Sequence, residues 1–216
     1  MFIITIIWSF LCLLAAPAAG FTAPDNFQKP FYVGVSGGLG STTWRGLVPA
    51  AEKQNSAISL STPIEVKEGG GVWGIFTGYE FTPNFAIEAN YRHYHRAKVI
   101  FNEDSIFAFE HDGRLIFNTD TKSIDIMAKV MLVIPKTPLR LYSSIGMAEI
   151  HRQDEISQHK QISPTFGGGF NFSFTKHFMA ELGFNYTAGY GESELNPADD
   201  YMPFLYSGFF SLAYRF

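Results

Sequence analysis

The chain ends on an alternation that few folds can accommodate. Stepping back by two from Phe216 gives Tyr214, Leu212, Phe210, Gly208 and Tyr206, while Arg215, Ala213, Ser211, Phe209 and Ser207 lie between them. Side chains of a β-strand alternate faces, so one face of this strand is aromatic and aliphatic and the other mostly small or polar. In a water-soluble protein the polar face would meet solvent. An aromatic as the very last residue of such a strand suits the opposite arrangement, with the apolar face toward lipid and the polar face toward a lumen.

Seven further segments repeat the pattern. Phe31 to Gly40 sets Val33, Val35, Gly37 and Leu39 against Gly34, Ser36, Gly38 and Gly40. Val72–Phe81 sets Trp73, Ile75, Thr77, Tyr79 and Phe81 against Gly74, Phe76, Gly78 and Glu80. After Thr82-Pro83-Asn84 come Phe85, Ile87, Ala89, Tyr91 and His93. The segments from Ile124 to Ile134, Leu139 to Met147, Thr165 to Phe174 and Phe178 to Tyr186 alternate likewise, and Phe204–Phe216 is the eighth. Each supplies the ~9–11 residues that cross a bilayer at a tilt. The second and third, fourth and fifth, and sixth and seventh are joined by three or four residues. The other connections are much longer, up to about 30 residues, which is uncommon in ordinary domains and usual in barrels with short periplasmic turns and long external loops. The expectation is an all-β, eight-stranded antiparallel up-and-down transmembrane β-barrel over 31–216, with both termini in the periplasm. A β-sandwich does not explain why the outward stripes carry almost no charge.

The first twenty residues, MFIITIIWSFLCLLAAPAAG, read as a secretory signal peptide cleaved near Ala18 or Ala19, and 21–30 as a periplasmic tail with two prolines. The sole cysteine, Cys12, falls in that leader, so no disulfide framework is expected. The net charge of −4 argues against a nucleic-acid partner. Charged residues are 17% of the chain against ~25% ordinarily, and aromatics reach 16%, as a lipid-facing surface requires.

The terminal Phe216, with Tyr214 two residues before it, resembles the C-terminal assembly signal of bacterial outer-membrane barrels. Together with the eight strands and the paired turns Phe81-Thr-Pro-Asn-Phe85 and Phe174-Thr-Lys-His-Phe178, the chain is similar to the small OmpA-type and opacity-protein-like surface antigens of Gram-negative bacteria. That resemblance implies an outer-membrane location, insertion by the barrel-assembly machinery, contact with outer-membrane lipid and lipopolysaccharide, and loops that meet a host or other extracellular ligand. The Phe pairs at the turns fit an aromatic girdle at the inner lipid boundary.

Gly34-Val-Ser-Gly-Gly-Leu-Gly40 lacks the Lys-Ser/Thr and helix of a phosphate loop; inward glycines in a narrow barrel make room for large neighbours. Arg92-His93-Tyr94-His95-Arg96-Ala97 is similar to the active-site strand of lipid A 3-O-deacylase barrels, where His is followed two residues later by Ser and then Asn. Here His95 and Arg96 hold those positions, so the nucleophile is missing, and a metal pair would lack a third ligand nearby. The last loop carries Glu192, Glu194, Asp199 and Asp200 in a spacing unlike an EF-hand. No catalytic, cofactor or metal residue is assigned. Asp112-Gly113, between two β-rich runs, signals a hairpin that carries strands three and four beyond the membrane.

The charges on inward positions are Glu80, Glu88, Asp125 and Glu181 with Arg92, Lys129, Arg140 and Arg215. Four acids and four bases from different strands should pair across a lumen only wide enough for side chains to fill. The reading is a non-enzymatic surface barrel acting through its loops, with a lipid A-modifying enzyme or a narrow conduit for small hydrophobic solutes as alternatives.

Overall fold

The structure, a computed structural model, describes residues 30–44, 63–155, 158–189 and 201–216. The expected leader and nearly all of the expected tail lie outside the described residues, as does the acidic part of the last loop.

Eight long strands form the ring: β1 (Phe31–Thr42), β3 (Gly70–Thr82), β4 (Phe85–His93), β6 (Ile116–Val133), β7 (Leu139–Asp154), β8 (Gln158–Ser173), β9 (Phe178–Thr187) and β10 (Leu205–Arg215). Two short strands, β2 (Glu65–Lys67) and β5 (Ala97–Ile100), and one helix, α1 (Ile106–Glu110), lie in the connections. Each long strand pairs antiparallel with its neighbours in chain order, and β1 pairs β10 from Tyr32↔Arg215 to Thr42↔Leu205, which closes the sheet. Following the pairing from His151 on β7 through Lys122, His93, Trp73, Gly37, Phe210, Leu182 and Phe170 returns to β7 at Leu141, ten residues lower. That stagger is the shear of a barrel whose strands lean roughly 35–45° from the axis.

The faces follow the alternation. Val35, Leu39, Trp73, Ile75, Ile126, Leu132, Ile145, Leu182, Phe184 and Phe210 are exposed, while Tyr32, Phe76, Met127, Met131, Tyr142 and Met179 are buried inside. Several inward glycines sit under rings: a Cβ on Gly34 would meet the Phe76 ring, and one on Gly78 the ring of Tyr32. At the short turns the aromatics gather. Phe81 lies 4.9 Å from Tyr79 and 5.9 Å from Phe85, and Phe172 lies 4.7 Å from Phe174. Tyr214 is 5.3 Å from Phe178 and 5.1 Å from Phe216, which in turn is 5.7 Å from Phe31.

At the other end the strands run further than their lipid-facing stripes. β6 begins at Ile116, not near Ile124, and β7 and β8 continue past Met147 and before Thr165, paired out to Gln153↔Gln158. The stretch expected to be a long loop between the fifth and sixth strands is therefore mostly strand. There some apolar side chains lie on the inner face: Ile150 and Phe117 point inward and are buried, while Gln153 and Gln158 are exposed. Beyond the bilayer, water replaces lipid outside and the apolar side turns in. β5 pairs with Ile116–Thr119 of β6, so the outward extension of strands three and four is present. Asp112 and Gly113 have φ of 53° and 74°, and Arg114 N–H donates to His111 O across them. That turn follows α1, whose Ser105 cap accepts from Phe107 N–H; a 13-residue loop, 102–114, replaces a two-residue hairpin.

Candidate functional site: a filled lumen under an aromatic lid

The inward charges stand in tiers. Nearest the short turns, Glu80 accepts from Arg140 (2.7 Å) and from both terminal nitrogens of Arg215 (3.0 and 2.7 Å). Arg140 also donates to Asn171 at 3.1 Å. One tier up, the ammonium of Lys129 is 2.8 Å from both Glu88 and Glu181 and lies over the Tyr142 ring at 4.3 Å; Tyr32 O–H donates to Glu88 at 2.9 Å. Above that, Arg92 pairs with Asp125, which also accepts from Asn90 at 2.9 Å, and the guanidinium faces Phe209. All eight residues chosen from the sequence lie inside the ring, none more than 5% exposed, and every one has an opposite charge within reach. Charges removed from water persist only when paired and hydrogen-bonded. Here amides, phenols and Met thioethers fill the spaces between the pairs.

A band of small polar side chains follows. Thr165 and Thr187 lie 2.9 Å apart, with Asn185 donating to Thr165 at 3.2 Å. Val72, Tyr94, Ile150, Met202 and Leu205 then form an apolar plug. Over it sits a second cluster of Trp44, Ala97, Val99, Phe101, Phe107, Phe117 and Tyr201. Trp44 meets Tyr201 at 5.0 Å and Phe117 at 6.0 Å, and Phe101 stacks on Phe107 at 4.0 Å. Arg152 ties the lid to the wall: its guanidinium lies 4.6 Å from the Trp44 ring, donates to Tyr201 O at 2.7 Å and pairs with Asp154. Tyr201 O–H donates to Thr43 O at 2.8 Å, and burial pushes its phenol pKa up.

Arg152, Asp154, Trp44 and Tyr201 did not emerge from the sequence reading. Continuing the β7 alternation past Met147 would have put Arg152 and Asp154 inside, but that reading followed apolar residues on the outside and stopped where they ended. Trp44 and Tyr201 lie in connections and carry no period at all.

The two histidines diverge. His93 faces outward, stacked on Trp73 at 5.6 Å and 3.1 Å from Asp120. The ring of His95 lies against Gly70, where a Cβ would come within 2.7 Å of it. Among the described residues no three His, Cys, Asp or Glu side chains gather as a metal site, and no described helix is long and apolar enough to cross a membrane.

A closed ring with an apolar exterior, an ion-paired interior and aromatics at its short-turn rim defines an integral outer-membrane β-barrel. The sequence matches the family described as "Outer membrane protein beta-barrel domain" over residues 8–216, and the chain belongs to that family. No curated protein matches it. Among solved structures it is similar to Neisserial surface protein A, at 13% identity and a TM-score of 0.52 over 86% of this chain and 97% of the other. It is also similar to OprG of Pseudomonas aeruginosa, at 10% identity and a TM-score of 0.53 over 87% and 97%. Likenesses at such identity bear on the fold alone.

Proposed function

We propose that this barrel is a non-conducting, non-enzymatic anchor that presents a folded interaction surface outside the cell. The observation that carries the reading is the continuity of the fill. From Glu80 at one end to Arg152 at the other, every charged inward side chain is buried and ion-paired, which leaves the wall and the outer layer as the parts that meet other molecules. Around the lid, β2, β5 and the extensions of β6, β7 and β8 form one continuous sheet. Loops held on a rigid scaffold are where recognition is usually placed. One recess of about 290 Å³ opens beside the lid, with Phe107 and Phe117 as floor and Glu110, His111, Arg114 and Glu155 as rim. A polar rim over an aromatic floor suits an extracellular ligand with mixed character. Outer-membrane lipid surrounds the wall, and the assembly machinery receives the terminal strand with Tyr214 and Phe216.

The test is conductance. Purified barrel in planar bilayers should give no stable ion current, and incubation with lipid A should leave its acyl chains unchanged by mass spectrometry. A steady monomer channel would replace this reading with a small-solute conduit; loss of an acyl chain would replace it with an enzyme.

A further inference from the structure

The outward face carries one feature that neither the lumen nor the lid uses. His93, Lys122, His151 and Lys160 are directly paired in register across four adjacent strands, β4, β6, β7 and β8. Two lysines and two histidines thus alternate in an unbroken row along the outer wall. Arg96 lies close by and shares an acid with them: Asp120 is 3.1 Å from His93, 3.5 Å from Arg96 and 3.2 Å from Lys122. Glu149 meets His151 and stands 3.9 Å from Lys160. Three permanently cationic groups and two imidazoles are thus set against two carboxylates, and the row stays net positive.

Its height is fixed by counting from the apolar and aromatic residues at the short-turn rim. His93 is eight residues past Phe85, Lys122 ten before Leu132, His151 ten past Leu141 and Lys160 twelve before Phe172. A tilted strand needs ~9–11 residues to cross the hydrocarbon, so the row begins where the acyl chains end. Next to it on the membrane side are Ile75, Tyr91, Ile124 and Ile162, in register with one another through Glu149. Trp73 flanks His93 in the position of an interfacial anchor. The acids do not cover the cations: Arg96 and Lys160 keep 73% and 69% of their side-chain surface exposed, while Asp120 keeps 17%.

We propose that this row is a binding site for the phosphate of an outer-leaflet glycolipid headgroup, with the acyl chains lying along the apolar wall below Glu149, at Ile126, Ile145 and Met147. Lys and Arg donors at a membrane edge make charge-assisted hydrogen bonds to phosphate oxygens, and Arg96, Lys122 and Lys160 supply three such donors along the row. The site is one-sided. The outer ends of β1, β9 and β10 present Leu39, Tyr186 and Tyr206 to the lipid instead. The inference rests on the outward placement of the loops in the proposed function but not on closure of the lumen.

The experiment compares wild type with K122Q/K160Q, both checked for the heat-modifiable folded band. Each is reconstituted with lipopolysaccharide bearing or lacking its lipid A phosphates, washed, and the retained lipid is quantified by native mass spectrometry. Wild type should retain the phosphorylated form, the double variant should hold it at least tenfold more weakly, and the dephosphorylated form should be lost from both. Equal retention by wild type and variant, or equal retention of both lipids, overturns the site. Displacement by millimolar inorganic phosphate in place of lipid would mean a soluble anion is the ligand and overturns the lipid assignment. In parallel, K98C on β5 should react with an impermeant thiol reagent on intact cells. A protected thiol overturns the leaflet assignment through the topology, whatever the lamella retains, and a conducting channel leaves the lipid result untouched.

Discussion

Lys129 and Glu181, on strands that do not touch, meet in the middle of the lumen with Nζ 2.8 Å from the carboxylate. The same ammonium lies 2.8 Å from Glu88, so a single cation from β6 holds β4 and β9 together across the ring. Both acids depend on it, although Glu88 has the Tyr32 hydroxyl and Glu181 the Asn171 amide as further donors.

Lys129→Met should therefore leave two carboxylates facing each other in a dry interior. Breaking a buried pair costs about 3–5 kcal/mol, and a loss at or above the upper end is expected in urea titration followed by the heat-modifiable band. K129M combined with E88Q and E181Q should recover much of it. A single variant that unfolds with the wild type would show that the tier is not an ion-paired core.

Glu88→Ala and Arg140→Ala remove charges from separate tiers, and each should lower stability by several kcal/mol. Arg140→Ala leaves Glu80 with Arg215, so it should be the milder of the two. Effects within experimental error for both would point to a hydrated lumen.

Size should be exchangeable between Gly78 and Tyr32. Gly78→Val drives a side chain into the Tyr32 ring, and overpacking of this kind costs about 1–3 kcal/mol. Pairing it with Tyr32→Leu should restore part of the loss, less the hydroxyl bond to Glu88. An additive double variant, measured in the same titration, would rule out the contact.

Phe216→Asp replaces the residue that packs on Phe31 and Tyr214 with a carboxylate at the lipid boundary. Loss of folded protein from outer-membrane fractions is expected. Normal insertion would mean that the aromatic rim tolerates a charge at this position.

Trp44→Ala should loosen the outer layer and spare the barrel. Truncating a fully buried Trp costs about 3–5 kcal/mol, so protease should cut the 102–114 segment faster while the ring keeps its heat-modifiability. Unchanged cleavage would place the stability of the lid elsewhere.

The barrel was legible in the sequence because lipid imposes one rule on every strand: nothing charged outside, anything paired inside. Ile124, Ile126 and Leu132 against Asp125 and Lys129 state that rule almost alone, and the lumen partners could be collected from it without knowing which would touch. Which acid meets which base depends on the ten-residue stagger of the ring, and no local pattern encodes it. The outer layer was illegible for a different reason. Past Met147 the solvent changes from lipid to water, so Ala148, Ile150 and Arg152 turn inward while Glu149, His151 and Gln153 face out, and a reader following the apolar stripe loses the strand at the boundary. The cationic row on that boundary was half visible: His93 stood out as a motif, but its neighbours Lys122, His151 and Lys160 are distant in sequence and joined only by register.

The seam between β1 and β10 sets an order of events. Phe31 accepts from the N–H of Phe216, and Arg215 reaches Glu80 on the strand beyond. The first strand therefore has no permanent partner on one edge until β10 arrives beside it. During that wait, alternating aromatic segments with unpaired edges are prone to associate with one another. A ring of this kind closes in a single step, when the two ring strands furthest apart along the chain come side by side.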